Sequence, residues 1–309
     1  MNEKRKAFAV VNPNSANGST ADDWDDIHAA LREALGEIDF EFTKAVGDAA
    51  PIARNALKNG YDFIVCVGGD GTNNEIVNGF FDKGRLVNHD ATLGFICRGT
   101  GGDLRKTLDV PKELDAACRV LAHGDRRVID VGRFSFVDSA GSPAERYFIN
   151  ITSFGIGGEV DDRVNRTSKA LGGFVSFLWA SLVSIAVYKN KNITLKVDDN
   201  DLGHRRIFNV AVANGRFFGG GMMVAPQADP ADGLFDIVVM GDLSKLEIVT
   251  QMGKIYKGGH LKHPKVEVYR GKTVEALSDE IVLLDVDGEQ PGRLPIKIEI
   301  VPKALGVMT

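Results

Sequence analysis

The sequence has few of the features that would mark a secreted, metal-clustered or nucleic-acid-binding chain. Its three cysteines, Cys66, Cys97 and Cys118, are odd in number and widely spaced, which excludes a disulfide framework. Cys66 and Cys97 lie in apolar runs and read as small core residues. The opening MNEKRKAFAVVN holds no apolar stretch of the signal type, so the expected compartment is a reducing cytosol. Positive charge is not in surplus: 37 Lys and Arg against 42 Asp and Glu give a net charge of -5. That balance argues against a nucleic-acid partner and against bulk attraction to anionic lipid. His260 and His263 alone have metal-like spacing, and inside the basic run KIYKGGHLKHPK they read as a solvated face rather than a zinc site. The motifs G-x-x-x-x-G-K-[ST], H-R-D and D-F-G are all missing, so the common nucleotide signatures are excluded.

A composition of 44% hydrophobic and 26% charged residues is that of a folded globular protein, with length for two domains or one large one. From residue 6 to 130 apolar runs alternate with helical patterns. KAFAVVN, IDFEFT, DFIVCV and TLGFIC read as strands, with helices near 22–35 and over AAPIARNALKNG, NNEIVNGFF and KELDAACRVLAHG. That order predicts a Rossmann-like parallel α/β domain, with ligands beyond the carboxyl ends of the strands. After residue 128 the rhythm changes. ERYFINITSFG, NITLKVD, RRIFNVAVANG, LFDIVVM, KVEVYR and EIVLLDVDGE read as strands, many with no helix between them. They predict an antiparallel β-sandwich. The expected division is a nucleotide-binding domain over 1–130 and a β-sandwich domain over 131–294, with about 295–309 returning to the first. Between Lys169 and Lys189 run nineteen uncharged residues, close to the length of a membrane span. A lone span would separate the two halves across a bilayer, so the expectation is a buried or surface-docking helix.

Chemistry concentrates at strand ends. VGGDGTNNE, from Val67 to Glu75, leaves a strand through glycines that can turn several N–H groups toward one anion at the start of a helix. Asp70 can hold a cation or orient a phosphate there. NPNSANG at 12–18 supplies Asn12, Asn14 and Ser15, and RGTGGDL at 98–104 supplies Thr100 and Asp103. Thr43 ends the second strand at the same edge. Each alone fits a turn or helix cap; together they favour a nucleotide phosphate site. Farther on, ADPADGLFD carries Asp229 and Asp232, which with backbone carbonyls suit Mg2+ or Ca2+, or form an Asp-rich turn. DVDGEQ carries Asp287 and Glu289 at a strand tip, either a hairpin or a base for a hydroxyl attacking phosphorus.

The ordered set NPNSANG, GGDGTNNEIVNG, GTGGDL, NGRFFGGGMMVAPQADPADGLFDIVVM and DGE resembles the bacterial diacylglycerol kinase-like lipid kinases, relatives of diacylglycerol, sphingosine and ceramide kinases. GGDGT is shared with NAD kinases and phosphofructokinases; GGGM…AP…ADGLFD with a late DGE is more specific. The resemblance implies an ATP-binding first domain, a β-sandwich second domain and a cleft between them. It implies ATP contacts from Asn12, Pro13, Asn14, Ser15, Ala16, Thr43, Gly69, Asp70, Gly71, Thr72, Asn73, Asn74, Glu75 and Thr100. Asp70 would act with a catalytic Mg2+. A structural Mg2+ would be held by Asp232 and by the carbonyls of Asp229 and Leu234. Glu289 would accept the proton, with Asp287 as neighbour or rival. The third loop departs from the family pattern G-T-x-N-D-[FL]-[AG], with Gly102 in place of Asn.

The expected activity is ATP- and Mg2+-dependent phosphorylation of a lipid hydroxyl, of diacylglycerol or a related lipid. A cytoplasmic protein in peripheral contact with the inner membrane face follows, with Phe174–Val187, Lys189 and Lys191 as lipid contacts. An exposed sheet edge would permit a homodimer. An NAD kinase-like enzyme acting on a soluble substrate, or a non-catalytic nucleotide or lipid sensor, are the alternatives.

Overall fold

The structure, a computed structural model, describes residues 5–99, 101–166 and 183–309. Its chain divides into two units, Met1–Asp130 with Pro302–Thr309, and Val131–Val301. The first unit is built on a parallel sheet, as the alternation of strands and helices predicts. Its strands run in the order Asp39–Phe42, Ala7–Val11, Phe63–Gly68, Thr92–Cys97 and the end of Gly292–Met308. Central parallel strands are covered on both faces, which is why all six residues of Phe63–Gly68 are apolar or glycine and all are buried. Helix Trp24–Leu35 places Trp24, Ile27 and Leu31 on one stripe, and helix Leu114–His123 adds Ala117, Cys118 and Leu121 to the same core. Helices Ala49–Lys58 and Asp70–Phe80 approach closely at Gly79, where a Cβ would lie 2.4 Å from the Ala50 carbonyl.

Because the sheet is parallel, the loops after Val11, Phe42, Gly68 and Cys97 leave from one edge. The first of them is strained: Ala16 and Asn17 both have left-handed backbone, with φ of 52° and 58°. The Ala16 conformation costs about 1 kcal/mol through its Cβ.

The second unit is antiparallel β-structure in two sheets. One runs Asn200–Ile207, Lys191–Val197, Thr273–Leu277 and the start of Gly292–Met308, with Arg126–Asp138 and Pro143–Phe148 attached. The other runs Val266–Gly271, Phe235–Met240, Asn209–Ala213, Ile151–Gly155 and Leu284–Val286. Inward residues of both fill one core, in which Phe148 of the first sheet stacks on Phe235 of the second at 5.6 Å.

Three sequence expectations need correction. ERYFINITSFG is two strands, Pro143–Phe148 and Ile151–Gly155, because the intervening N–H groups turn to the Asp287 carboxylate instead of a ladder. RRIFNVAVANG also divides, into Asn200–Ile207 and Asn209–Ala213. There the Phe208 N–H donates to the Met240 and Gly241 carbonyls, and the chain passes from one sheet to the other. His260 is not on a solvated face. It is 2% exposed, with Nε2 against the Val224 carbonyl at 3.1 Å, and burial lowers its pKa.

Of the uncharged run, residues 170–182 and with them most of Phe174–Val187 lie outside the described residues; residues 183–187 are helical. Among the described residues no helix is long and apolar enough to cross a membrane.

Replacing Ala16 by Gly should relieve the left-handed strain and leave stability unchanged or raised by up to about 1 kcal/mol, against the loss of similar size expected in a helix interior. Urea denaturation of the variant measures it.

Candidate active site

The three glycine-rich loops of the first unit are stitched together by short contacts. Asn12 donates its backbone N–H to the Val67 carbonyl at 2.9 Å and its Nδ2 to Thr72 Oγ1 at 3.0 Å. Thr43 N–H reaches the Val11 carbonyl at 2.8 Å, and Arg98 N–H reaches the Gly68 carbonyl at 2.7 Å. A Cβ on Gly99 would lie 2.9 Å from the Gly69 Cα, so the two loops touch backbone to backbone. Only glycine permits that approach. The side chain of Arg98 pairs with Asp23 and donates to Ser19 Oγ at 3.0 Å, tying the first loop region to the third.

Asp70 begins helix Asp70–Phe80 and sits beside the third loop. Its carboxylate accepts from Asp103 N at 3.2 Å and from Leu104 N at 3.4 Å, both long for charge-assisted bonds. A hard oxygen donor at a helix N-terminus among glycines is of the type that suits Mg2+. Gly102 has φ of 57° and caps helix Asp103–Thr107. Glycine and asparagine are the two residues that adopt this left-handed geometry most readily. Thr100 lies outside the described residues.

Other expected nucleotide contacts have a different local use. The Glu75 carboxylate accepts from Gly47 N at 2.9 Å and Ala49 N at 3.0 Å, satisfying the start of helix Ala49–Lys58. Asn74 is buried and bonded to Asn78, and Asn73 is buried with its Oδ1 lacking a hydrogen-bond partner. Asn14, Ser15 and Ala16 remain at the strained loop, where Ser15 Oγ bonds Thr20 Oγ1 at 2.7 Å. Burial, and then the charge of Asp70, push the Cys97 thiol up to about 12, so it stays a thiol beside this loop.

In the second unit, Val286–Glu289 is a two-residue hairpin. Val286 N–H and Glu289 N–H each bond the other residue's carbonyl, at 2.8 and 3.0 Å. Asp287 and Gly288 take φ of 50° and 88°, the pair of positive angles for which Asp-Gly is suited. The Asp287 carboxylate then accepts three consecutive backbone N–H groups, from Ile149 at 3.0 Å, Asn150 at 3.1 Å and Ile151 at 2.9 Å. Asp287 is buried, whereas Glu289 is part-exposed, with its Oε2 3.5 Å from Arg146 Nη2.

The Asp-rich turn offers oxygen donors of the type a hard cation prefers. Asp229 Oδ1 accepts from Ala231 N at 3.1 Å, and Asp232 Oδ1 from Leu234 N at 3.0 Å. Asp232 Oδ2 is paired with Arg270, so a cation would compete with that guanidinium. Asp236, buried nearby, has its carboxyl raised by burial and lies 3.6 Å from Arg270 Nε. The expected donor set holds one side-chain carboxylate with carbonyls. Among the described residues there is no cage of three or more His, Cys, Asp or Glu.

Two residues escaped the sequence reading. Asp161 on helix Ile156–Arg166 and Asp285 on strand Leu284–Val286 are both buried, and burial first, then the neighbouring Asp285, raise the Asp161 carboxyl. A charge inside the apolar run EIVLLDV was the available signal for Asp285.

Comparison with known proteins gives this geometry its class. A model of the diacylglycerol kinase catalytic domain matches residues 6–134, and one of the YegS C-terminal NAD kinase beta sandwich-like domain matches residues 150–309. The latter alone spans more than half the sequence, and the chain belongs to the diacylglycerol kinase-like lipid kinases. It is similar to the diacylglycerol kinase of Staphylococcus saprophyticus, 28% identical over 293 residues, 94% of this chain and 91% of the relative. The Staphylococcus aureus diacylglycerol kinase is 27% identical over 94% of this chain and 88% of its own. A diacylglycerol kinase crystal structure from Bacillus anthracis has a TM-score of 0.73 at 20% identity, covering 100% of this chain and 98% of that one. An NAD kinase of Archaeoglobus fulgidus in complex with ATP gives 0.51 at 18%, covering 98% and 93%. These two structures show the shared fold.

Asp287→Asn should lower stability by about 3 kcal/mol, because an amide cannot accept all three N–H groups and turns its own donors toward them. Urea unfolding measures the loss.

Proposed function

We propose that this lipid kinase transfers the γ-phosphoryl group of ATP to the hydroxyl of diacylglycerol or a closely related neutral lipid. The observation that carries the assignment of roles is the hairpin Val286–Glu289. Asp287 is committed to three backbone N–H groups, which leaves Glu289, part-exposed at the same turn, as the group suited to accept a proton.

In the first unit the N–H groups around Gly69, Gly71 and the start of helix Asp70–Phe80 receive the phosphates, with Asn12, Pro13, Asn14, Ser15, Ala16, Thr43 and Thr72 around them. Thr100 and the segment Asn73–Glu75 complete the proposed nucleotide set. Asp70 holds the catalytic Mg2+. Held there, Mg2+ would supply neutralisation of the negative charge on the nucleotide's phosphates. Asp232, with the carbonyls of Asp229 and Leu234, holds a structural Mg2+ or Ca2+ in exchange for the Arg270 pair.

The lipid oxygen bonds to the γ-phosphorus as the bond from that phosphorus to the β–γ bridging oxygen breaks. The hydroxyl proton passes to Glu289, and ADP departs. Fixed N–H dipoles and a positioned base supply the acceleration. The substrate's chains require that its headgroup be met at a bilayer, which makes the contact with the membrane peripheral.

Labelled phosphate transfer to diacylglycerol, phosphatidylglycerol, a sphingoid base and undecaprenol in mixed micelles, with NAD as soluble control, tests the reading. Diacylglycerol is expected to be labelled, and Glu289→Gln to lower kcat by about 10²- to 10⁴-fold while the fold is kept. Labelled NAD would assign the chain a soluble substrate instead. Near-wild-type turnover in a folded Glu289→Gln variant would remove Glu289 from the base role.

A further inference from the structure

Behind the Val286–Glu289 turn lies a pair of carboxyl groups that phosphoryl transfer does not itself use. Asp161 and Asp285 are each 8% exposed. Asp285 stands opposite Ser153 in the ladder between Leu284–Val286 and Ile151–Gly155, and its Oδ2 accepts from Ser153 Oγ at 3.0 Å. Its Oδ1 accepts from Gly288 N at 3.1 Å, inside the turn that carries Glu289. Asp161 lies one turn past Gly157 on the helix that packs on Asp285, and its Oδ2 is buried with no hydrogen-bond partner among the described residues. The helix sits directly on the pair: a Cβ on Gly157 would lie 2.4 Å from Ser153 Oγ and 3.1 Å from Asp285 Oδ2.

Two carboxylates cannot share a hydrogen bond without a proton between them. The contacts say which of them carries it. Asp285 accepts from a hydroxyl and a backbone N–H, both of which favour its anion. Among the described residues Asp161 Oδ2 has no such donor. We propose that Asp161 is a positioning residue that stays protonated and donates to Asp285, and that anionic Asp285 in turn fixes the Gly288 N–H and the turn presenting Glu289. This rests on the reading of Glu289 as the base.

Among the described residues, the charged groups facing Asp161 are Asp285 from its strand and Glu289 from the turn, and Ser153 is the polar group on the neighbouring strand. Glu289 has Arg146 3.5 Å away. Burial first, then Asp285 and Glu289, hold the Asp161 carboxyl well above the usual range. A neutral Asp161 spares Glu289 a second negative charge behind it.

Two substitutions and one pH series test the proposal. Asp161→Asn keeps shape and a donor toward Asp285, and should retain turnover within about threefold; Asp161→Leu removes the donor and should lower kcat about tenfold or more with the KM for ATP unchanged. The native wild type keeps a proton that the unfolded chain releases above the ordinary carboxyl range. Its stability contribution from Asp161 therefore falls as pH rises through that range toward the raised value, and Asn has no such dependence. The Tm of Asp161→Asn relative to wild type should thus climb by several degrees between roughly pH 5 and pH 8. A pH-independent Tm difference, or an Asn variant as impaired as Leu, would overturn the proposal. The Tm series reads the proton without reference to activity, so it separates this failure from loss of the base assignment, which Glu289→Gln reports alone.

Discussion

The carboxylate of Asp287 is the constraint on which the second unit's candidate site depends. Three consecutive N–H groups, from Ile149 to Ile151, converge on it, and three charge-assisted bonds exceed what a ladder would give the same donors. The convergence interrupts the edge between Pro143–Phe148 and Ile151–Gly155, closes the hairpin and sets the direction in which Glu289 leaves it. Asp285 grips the same turn from inside through Gly288 N–H. A carboxylate with positive φ at the first turn position and a glycine at the second satisfies both demands at once.

The first unit solves a different problem, that of gathering N–H donors where phosphate oxygens would come. At the contact between Gly69 and Gly99 the two loops meet backbone to backbone, and side chains of Asn12, Arg98 and Asp70 tie the loops together around it. Asp70 spans from one loop to the start of the next helix, while Glu75 one turn later secures the helix that begins at Ala49. Acidic residues thus anchor the scaffold of a region whose ligand is anionic. Placing Glu75 on two helix-starting N–H groups turns its charge away from that ligand.

Much of this was legible in the sequence. Unbroken apolar runs such as DFIVCV specify central parallel strands because both of their faces are covered, and Asp-Gly at a strand tip specifies a tight hairpin. What periodicity does not record is where a backbone N–H finds its acceptor. ERYFINITSFG carries no Gly or Pro before its last residue, and nothing within it announces a break made by a carboxylate 136 to 138 residues away. The use of Glu75 depends likewise on a loop 26 to 28 residues earlier. Asp161 sits in EVDDRVNR, which reads as a solvated helical face; only the helix lying across Asp285 makes that one carboxyl interior. At Gly102, where the sequence departs from the family Asn, the backbone is left-handed, the geometry that glycine and asparagine adopt most readily.

The return of residues 302–309 to the first unit has a temporal consequence. Gly306 and Val307 pair with Thr92 and Leu93, Thr309 exchanges backbone bonds with Asp125, and Lys303 N–H binds the Asp130 carboxylate at 2.7 Å. On a ribosome, strand Thr92–Cys97 therefore emerges long before its neighbour, and its polar edge stays open while the whole second unit is made. Unpaired strand edges recruit other chains. The nascent protein carries this exposure for about ten to forty seconds at ordinary synthesis rates, which makes the interval a natural place for a chaperone to act.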